Sequence, residues 1–258
     1  MTARRAPSGG PAGLSAIDLY LGSSIGLWAL RRFGRHRTGT VFTIDPAIAA
    51  EAAAMGLAVE TGEPHDHSTG SPQAVSVHYP RILRADLLAR YRTVYNLHPA
   101  LLPWGRGYFP VFWALWEGTP AGASLHVMAE RVDAGPIVLQ REVAYDDADT
   151  GGSLHARVSA VERALLVQAW RTLGRGGDLP GTPQPSGGSY HSRAEFDRLH
   201  TALRVEELSG AQLVRLARCL TFRGYPGLRI ESNGVKVELT VGSVERLASR
   251  QAPGPLAD

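Results

Sequence analysis

Residues 40–59 read Thr-Val-Phe-Thr-Ile-Asp-Pro-Ala-Ile-Ala-Ala-Glu-Ala-Ala-Ala-Met-Gly-Leu-Ala-Val. Thr40–Ile44 is a run of β-branched and aromatic side chains, which predicts a strand. Asp45 is an N-cap residue, and Pro46 suits the first helical position because its missing N–H would be unpaired there anyway. The alanine-rich stretch to Met55 favours helix, and Gly56 ends it. Leu57–Val59 begins another strand. A strand, a capped helix and a strand in direct succession predict a βαβ unit, whose two strands lie parallel. The same rhythm extends outward. Ile17–Gly22 reads as a strand and Ile25–Phe33 has helical spacing. Ala74–Val77 reads as a strand, Arg84–Tyr91 as a helix and Thr93–Leu97 as a strand. Such alternation predicts an α/β fold: a Rossmann-like, mostly parallel twisted sheet with helices on both faces.

After residue 97 the rhythm changes. Val111–Trp116 reads as a short aromatic helix, Gly122–Val127 and Ile137–Val143 as strands, and Leu154–Leu173 as a long amphipathic helix. Ser209, with Gln212 three positions on, predicts a capping box for a helix to Leu220. Leu228–Glu231 and Val235–Val241 flank Asn233-Gly234, a strong hairpin signal. The expected layout is a flexible tail at 1–14, a main domain at 15–175, and a Gly-, Pro- and Ser-rich linker at 176–189. A small α+β extension with the β-hairpin follows at 190–246, then a second tail at 247–258.

Composition narrows the function. Hydrophobic residues make up 44% of the 258 positions and charged residues 20%, enough for a full core. The net charge of +3 is mild: it suits an anionic small molecule and does not call for nucleic acid. No apolar run is long enough to span a membrane. One cysteine, Cys219, allows no intrachain disulfide and no multi-cysteine zinc site, so a reducing cytoplasm is the expected compartment. Cys219 falls in an apolar helical pattern and is expected to be buried and inert.

The chemistry concentrates at Asn96-Leu-His98. Residues i and i+2 of a strand share a face, so an amide donor and an imidazole aim at one spot. Pro99, Pro103, Gly105 and Gly107 then impose an irregular loop. Asp133 lies 35 positions after His98 in a loop of small residues and offers a carboxylate that could orient the imidazole. Amide, imidazole and carboxylate together suit acyl transfer. His98 could take a proton from an attacking nucleophile or, when protonated, help hold the oxyanion. Other polar signals read as structural. Gly22-Ser-Ser-Ile-Gly26 matches no phosphate-binding fingerprint. His65 and His67 have no firm partner ligands, so no metal site is expected. His191 and His200 read as solvated, Asp146, Asp147 and Asp149 as a solvated turn, and Ser124 as a strand serine.

The ordered set of Asn96-x-His98, Leu102-Pro103-x-x-Arg106-Gly107, Gly122-x-Ser124-x-His126 and Asp133-x-Gly135 resembles the folate-dependent formyltransferases. The likeness runs from about Ile17 to Leu173, with a weaker continuation to about Thr240. The resemblance implies that 15–175 is a catalytic domain in which Asn96, His98 and Asp133 act on 10-formyltetrahydrofolate, with no metal. It also implies direct attack by an amine through a tetrahedral intermediate. Ser76, His78, Tyr79, Ile82 and Leu83 map onto the segment that reads the pterin, and Trp104 and Val132 would join them.

The loop Arg106-Gly107-Tyr108-Phe109 and the later Ser189-Tyr190-His191-Ser192-Arg193 are most similar to the nucleotide-sugar N-formyltransferases. That likeness implies a nucleotide-linked amino sugar as acceptor, touched by Arg106, Gly107, Tyr108 and Phe109. Tyr190 would stack on the base, Arg193 would meet a phosphate, and the C-terminal part would help form a homodimer. The extension is small and lacks a basic stripe, which weighs against tRNA. A formyltransferase for another small amine, or a 10-formyltetrahydrofolate hydrolase, is the alternative; a non-catalytic sensor fits less well with the intact Asn/His/Asp set.

Overall fold

The computed structural model describes residues 16–63, 70–202, 208–222, 224, 227–232 and 235–244. The expected tails, His65, His67, Arg223 and the Asn233-Gly234 turn lie outside the described residues. The element order is β1 (Ile17–Leu21), α1 (Ser23–Phe33), β2 (Thr38–Phe42), α2 (Pro46–Ala54), β3 (Ala58–Glu60), β4 (Gln73–Val77), α3 (Ala85–Leu88) and β5 (Thr93–His98). There follow β6 (Arg106–Gly107), α4 (Pro110–Glu117), β7 (Gly122–Val127), β8 (Ile137–Glu142) and α5 (Gly151–Leu173). The rest is β9 (Tyr190–His191), α6 (Arg193–Ala202), α7 (Gly210–Leu220), β10 (Leu228–Ser232) and β11 (Val235–Leu239).

The expected α/β fold is present. Seven strands form one sheet in the order β3-β2-β1-β4-β5-β7-β8, with helices packed on it. The pairs β3–β2, β2–β1, β1–β4 and β4–β5 are parallel. The C-terminal hairpin β10–β11 is antiparallel, with Leu228 opposite Leu239. Asp45 caps α2 by accepting from the Ala47 and Ile48 amides, and the Ser209–Gln212 capping box opens α7. The chain divides into two compact units. One is the described part of Met1–His98 with Leu125–Leu139 and Arg163–Pro183; the other is Pro99–Ser124, Gln140–Glu162 and the described residues from Gln184 on.

In the first unit a core of Tyr20, Phe42, Ala74, Leu83, Leu87, Tyr91 and Val94 packs on the sheet. Asp18 is buried beneath it, a cost offset by three donors: the Thr40 amide at 2.9 Å, the Ser71 hydroxyl at 2.6 Å and the Tyr91 hydroxyl at 2.9 Å. Tyr91 also bonds Tyr20 at 2.8 Å. This network corrects the expected helix over 84–91. Only Ala85–Leu88 is α-helical, because the chain then tightens into turns, Arg90 N to Leu87 O and Tyr91 N to Leu88 O, that deliver Tyr91 to Asp18. Strand β2 also starts two residues earlier than expected.

In the second unit Asp149 corrects the reading of a solvated turn. Its carboxylate is nearly buried and takes Arg157 in a bidentate pair, 2.8 Å to each oxygen, plus the Ser153 hydroxyl at 2.7 Å. The Arg157 guanidinium holds the Asp149 carboxyl well below the usual carboxylate range. A depressed folded pKa stabilises the fold above the unfolded value, roughly 3.9, and that stabilisation is lost as pH falls through the folded pKa. Arg157→Ala should therefore lower the melting temperature near neutral pH, with the gap to the parent chain closing on strong acidification. A gap that stayed constant from pH 7 to pH 2 would show that packing, not the ion pair, is responsible. Cys219 is buried as expected, and burial pushes its thiol up to about 12.

Candidate active site

Strand β5 stops where Pro99 removes the next backbone donor, and its last turnings present Asn96 and His98 at the carboxyl end of a central strand. That end is where open α/β sheets place their ligands. Asp133 faces them from the loop between β7 and β8, with a left-handed backbone, φ 50°, a conformation that Asp tolerates better than bulkier residues. Asn96 Nδ2 donates to Asp133 Oδ1 at 3.3 Å, and His98 Nε2 stands 3.7 Å from Asp133 Oδ2. The His98 and Asp133 side chains are only 8% and 11% exposed, so water competes little for them.

A fourth residue completes the cluster. His126, on β7, is fully buried; its Nδ1 lies 2.9 Å from the Val127 carbonyl, which can only accept. Nδ1 therefore carries a proton, and Nε2 can accept from Asn96 Nδ2 at 3.1 Å. The same Nε2 is 3.4 Å from Asp133 Oδ1, a contact that becomes an ion pair if Nε2 is also protonated. In the sequence His126 stands in the Gly122-x-Ser124-x-His126 motif with nothing to assign it a role. The available signal was its place on one strand face with Gly122 and Ser124.

Ser124, by contrast, is committed to structure. Its hydroxyl donates to the Ala100 carbonyl at 2.7 Å and accepts from the Leu102 amide at 3.2 Å and Gln140 Nε2 at 3.0 Å. It pins the loop after β5, and among the described residues no base adjoins it that would make it a nucleophile. Among the described residues no group of three or more His, Cys, Asp or Glu side chains could hold a metal ion. No helix among them is long and apolar enough to cross a membrane.

The remaining predicted residues fall in two places. Within the first unit, Ser76 pairs in register with Asn96 and is buried. His78 has φ 52° and its Nδ1 meets the Ser23 hydroxyl at 3.0 Å. Tyr79 packs edge-on against Tyr20, Leu83 is buried in the core, and Val132 is half-buried beside Asp133. Ile82 stands 71% exposed, an apolar side chain with no core to fill.

Within the second unit, Trp104 is half-buried, its amide bonded to Leu101 O at 3.0 Å. Arg106 and Gly107 form β6, which pairs with Tyr190 and His191 of β9. Gly107 has φ +89°, and a Cβ there would overlap the His191 carbonyl oxygen, so the close pairing requires glycine. Arg106 donates through Nε and Nη2 to Gln184 Oε1 at 3.1 and 2.9 Å. Tyr108 and Phe109 pack with their rings tilted 53° to each other, centres 4.2 Å apart, against Phe196. Arg193 lies over Tyr108 and pairs with Asp197 at 3.6 Å. Tyr190 is 52% exposed. His191 corrects the reading of a solvated histidine: it is buried against Trp113. Helix α6 went unpredicted, although Ser192-x-x-Glu195 is a capping-box signal, and the Glu195 amide does bond the Ser192 hydroxyl at 3.1 Å.

A family model described as formyl transferase matches residues 67–170, the stretch holding Asn96, His98, His126 and Asp133. Over that stretch the chain is similar to the formyl transferase family. It is 27% identical, over 168 residues, to dTDP-4-amino-4,6-dideoxyglucose formyltransferase of Mycobacterium bovis, covering 65% of this chain and 71% of that one. Its fold is similar to a 4-N formyltransferase from Francisella tularensis, with TM-score 0.77 at 19% identity, over 90% of this chain and 99% of that chain. It is also similar to the formyltransferase PseJ from Anoxybacillus kamchatkensis, solved with UDP-4,6-dideoxy-4-formamido-L-AltNAc and tetrahydrofolate. That match has TM-score 0.53 at 26% identity and covers 66% of this chain and 93% of that chain.

Proposed function

We propose that the chain transfers a formyl group from 10-formyltetrahydrofolate to the amine of a nucleotide-linked amino sugar. The observation that carries this reading is the convergence of Asn96, His98 and Asp133 at one buried spot in a chain whose relatives formylate such sugars. The donor supplies an activated formyl group. The segment after β4 fits it: Ile82 offers a bare apolar surface, and Tyr79 stands on the core beneath. Backbone groups between them would read a polar ring edge.

The chain's own residues then have distinct tasks. Asn96 turns an N–H from Asp133 or His126 toward the formyl oxygen as charge develops there. His98 takes the proton that the attacking nitrogen must lose and returns it to the carrier nitrogen, whose bond to the formyl carbon breaks as the tetrahedral intermediate collapses; as imidazolium in between it supports the oxyanion. Asp133 holds both in place and offsets the positive charge gained by either histidine. Tyr190 stacks on the acceptor's base, and Arg193 exchanges Asp197 for a phosphate oxygen.

The test compares one amino sugar with and without its nucleotide. The nucleotide-linked form should show the higher kcat/KM, and Tyr190→Ala should raise its KM about 5- to 100-fold, as expected for about 1–3 kcal/mol of base stacking. The KM for the folate donor should change much less. Equal kcat/KM for the linked and free sugars would reject nucleotide recognition.

A further inference from the structure

Strand β9 is two residues long, as is its partner β6. The backbone bonds Arg106 N to Ser189 O, 3.1 Å, Tyr108 N to His191 O, 2.8 Å, and Ser189 N to Pro103 O, 3.2 Å, together with Gly105 N to Ser189 Oγ at 2.9 Å and the Arg106–Gln184 contact, hold only a short stretch of the pairing. What adds to them is the His191 side chain. Its ring lies flat on Trp113, centres 3.8 Å apart and planes 9° from parallel. Nε2 is 3.1 Å from Glu117 Oε1 at the end of α4, and Nδ1 is 3.2 Å from Glu195 Oε1 in the first turn of α6.

A neutral imidazole has one N–H and one lone pair, whereas carboxylates only accept; the imidazolium alone is attracted to both. Neither contact is aligned as a strict hydrogen bond, so both act through charge and distance. An apolar ring in the same space could serve stability at least as well. What His191 adds is geometry: its two ring nitrogens reach the ends of two helices at once, Glu117 on α4 and Glu195 on α6.

We propose that His191 is a positioning residue for the acceptor loop: set between Glu117 and Glu195 on Trp113, it holds β9 against Arg106–Tyr108 and thereby fixes the direction of Tyr190. The acceptor part of this inference rests on the proposed function; the clamp itself does not.

His191→Phe keeps a flat ring for Trp113 and removes both charged contacts, so it separates clamping from core filling. Glu117→Gln with Glu195→Gln removes the charges from the other side and guards against a local packing fault. Two quantities are read: hydrogen exchange at the Arg106 and Tyr108 amides in the chain alone, with the Leu97 amide as reference, and the separate KM values for donor and acceptor. Both variants should exchange at Arg106 and Tyr108 about 10-fold faster, with acceptor KM raised about 10-fold and donor KM within about 2-fold of the parent. Unchanged exchange overturns the proposal, whatever happens to KM. Faster exchange with an unchanged acceptor KM overturns the link to acceptor binding. If the parent chain formylates no nucleotide-linked amino sugar, the functional reading fails, and exchange alone decides the clamp.

Discussion

Replacing His98 by alanine should lower turnover by about 10² or more, as for removal of a general acid–base group, while the unfolding transition stays close to that of the parent. The fold should survive because Asp133 keeps other partners: Asn96 at 3.3 Å and His126 at 3.4 Å. The removed ring also sits at the end of a strand rather than in the middle of the core. On the proposed role, in which the imidazole acts only as the reaction proceeds, the loss should fall on kcat. His98→Gln is the companion variant: it restores hydrogen bonding without a titratable nitrogen. If glutamine recovered most of the rate, His98 would be a donor to the oxyanion; if it did not, proton transfer would be its task. A folded His98→Ala chain with near-parental turnover would remove His98 from the mechanism.

The parts of this molecule that could be read from its sequence are those set by near neighbours. The βαβ rhythm was legible because Asp45, Pro46 and Gly56 each act on backbone groups within one turn. The shared aim of Asn96 and His98 was legible because strand geometry fixes it. Asp133 was different. Its distance from His98 along the chain says nothing physical about their meeting, and only the family likeness joined them. Long-range partners escaped altogether. His191 follows a Gly- and Pro-rich stretch, so local composition suggests solvent, but its surroundings come from Trp113 and Glu117 on a helix far back in the chain. His126 was visible as a strand residue, yet its role depends on a loop carbonyl and on Asn96 from a different strand. The shortness of α3 likewise reflects a demand made elsewhere, by buried Asp18.

Gly135→Ala should be nearly as damaging as loss of a catalytic side chain, although glycine carries no chemistry. Gly135 is buried in the loop that bears Asp133, and a Cβ there would overlap the Val127 carbonyl oxygen. That oxygen is the one that anchors His126 through Nδ1 at 2.9 Å. The added methyl group must therefore push the loop or the carbonyl aside, and either movement displaces Asp133, His126 or both relative to Asn96. A displacement of about 1 Å at reacting groups can cost about 10² in rate, so kcat should fall by that order. Gly70→Ala is the control, because a Cβ there meets nothing within 4 Å and should leave kcat unchanged. The Asn96 side-chain amide should report the damage directly: in Gly135→Ala its NMR signal should shift, whereas in Gly70→Ala it should not. If Gly135→Ala retained parental kcat, the Asp133 loop would tolerate displacement, and the assignment of Asp133 as the group that holds Asn96 and His98 in register would have to be withdrawn.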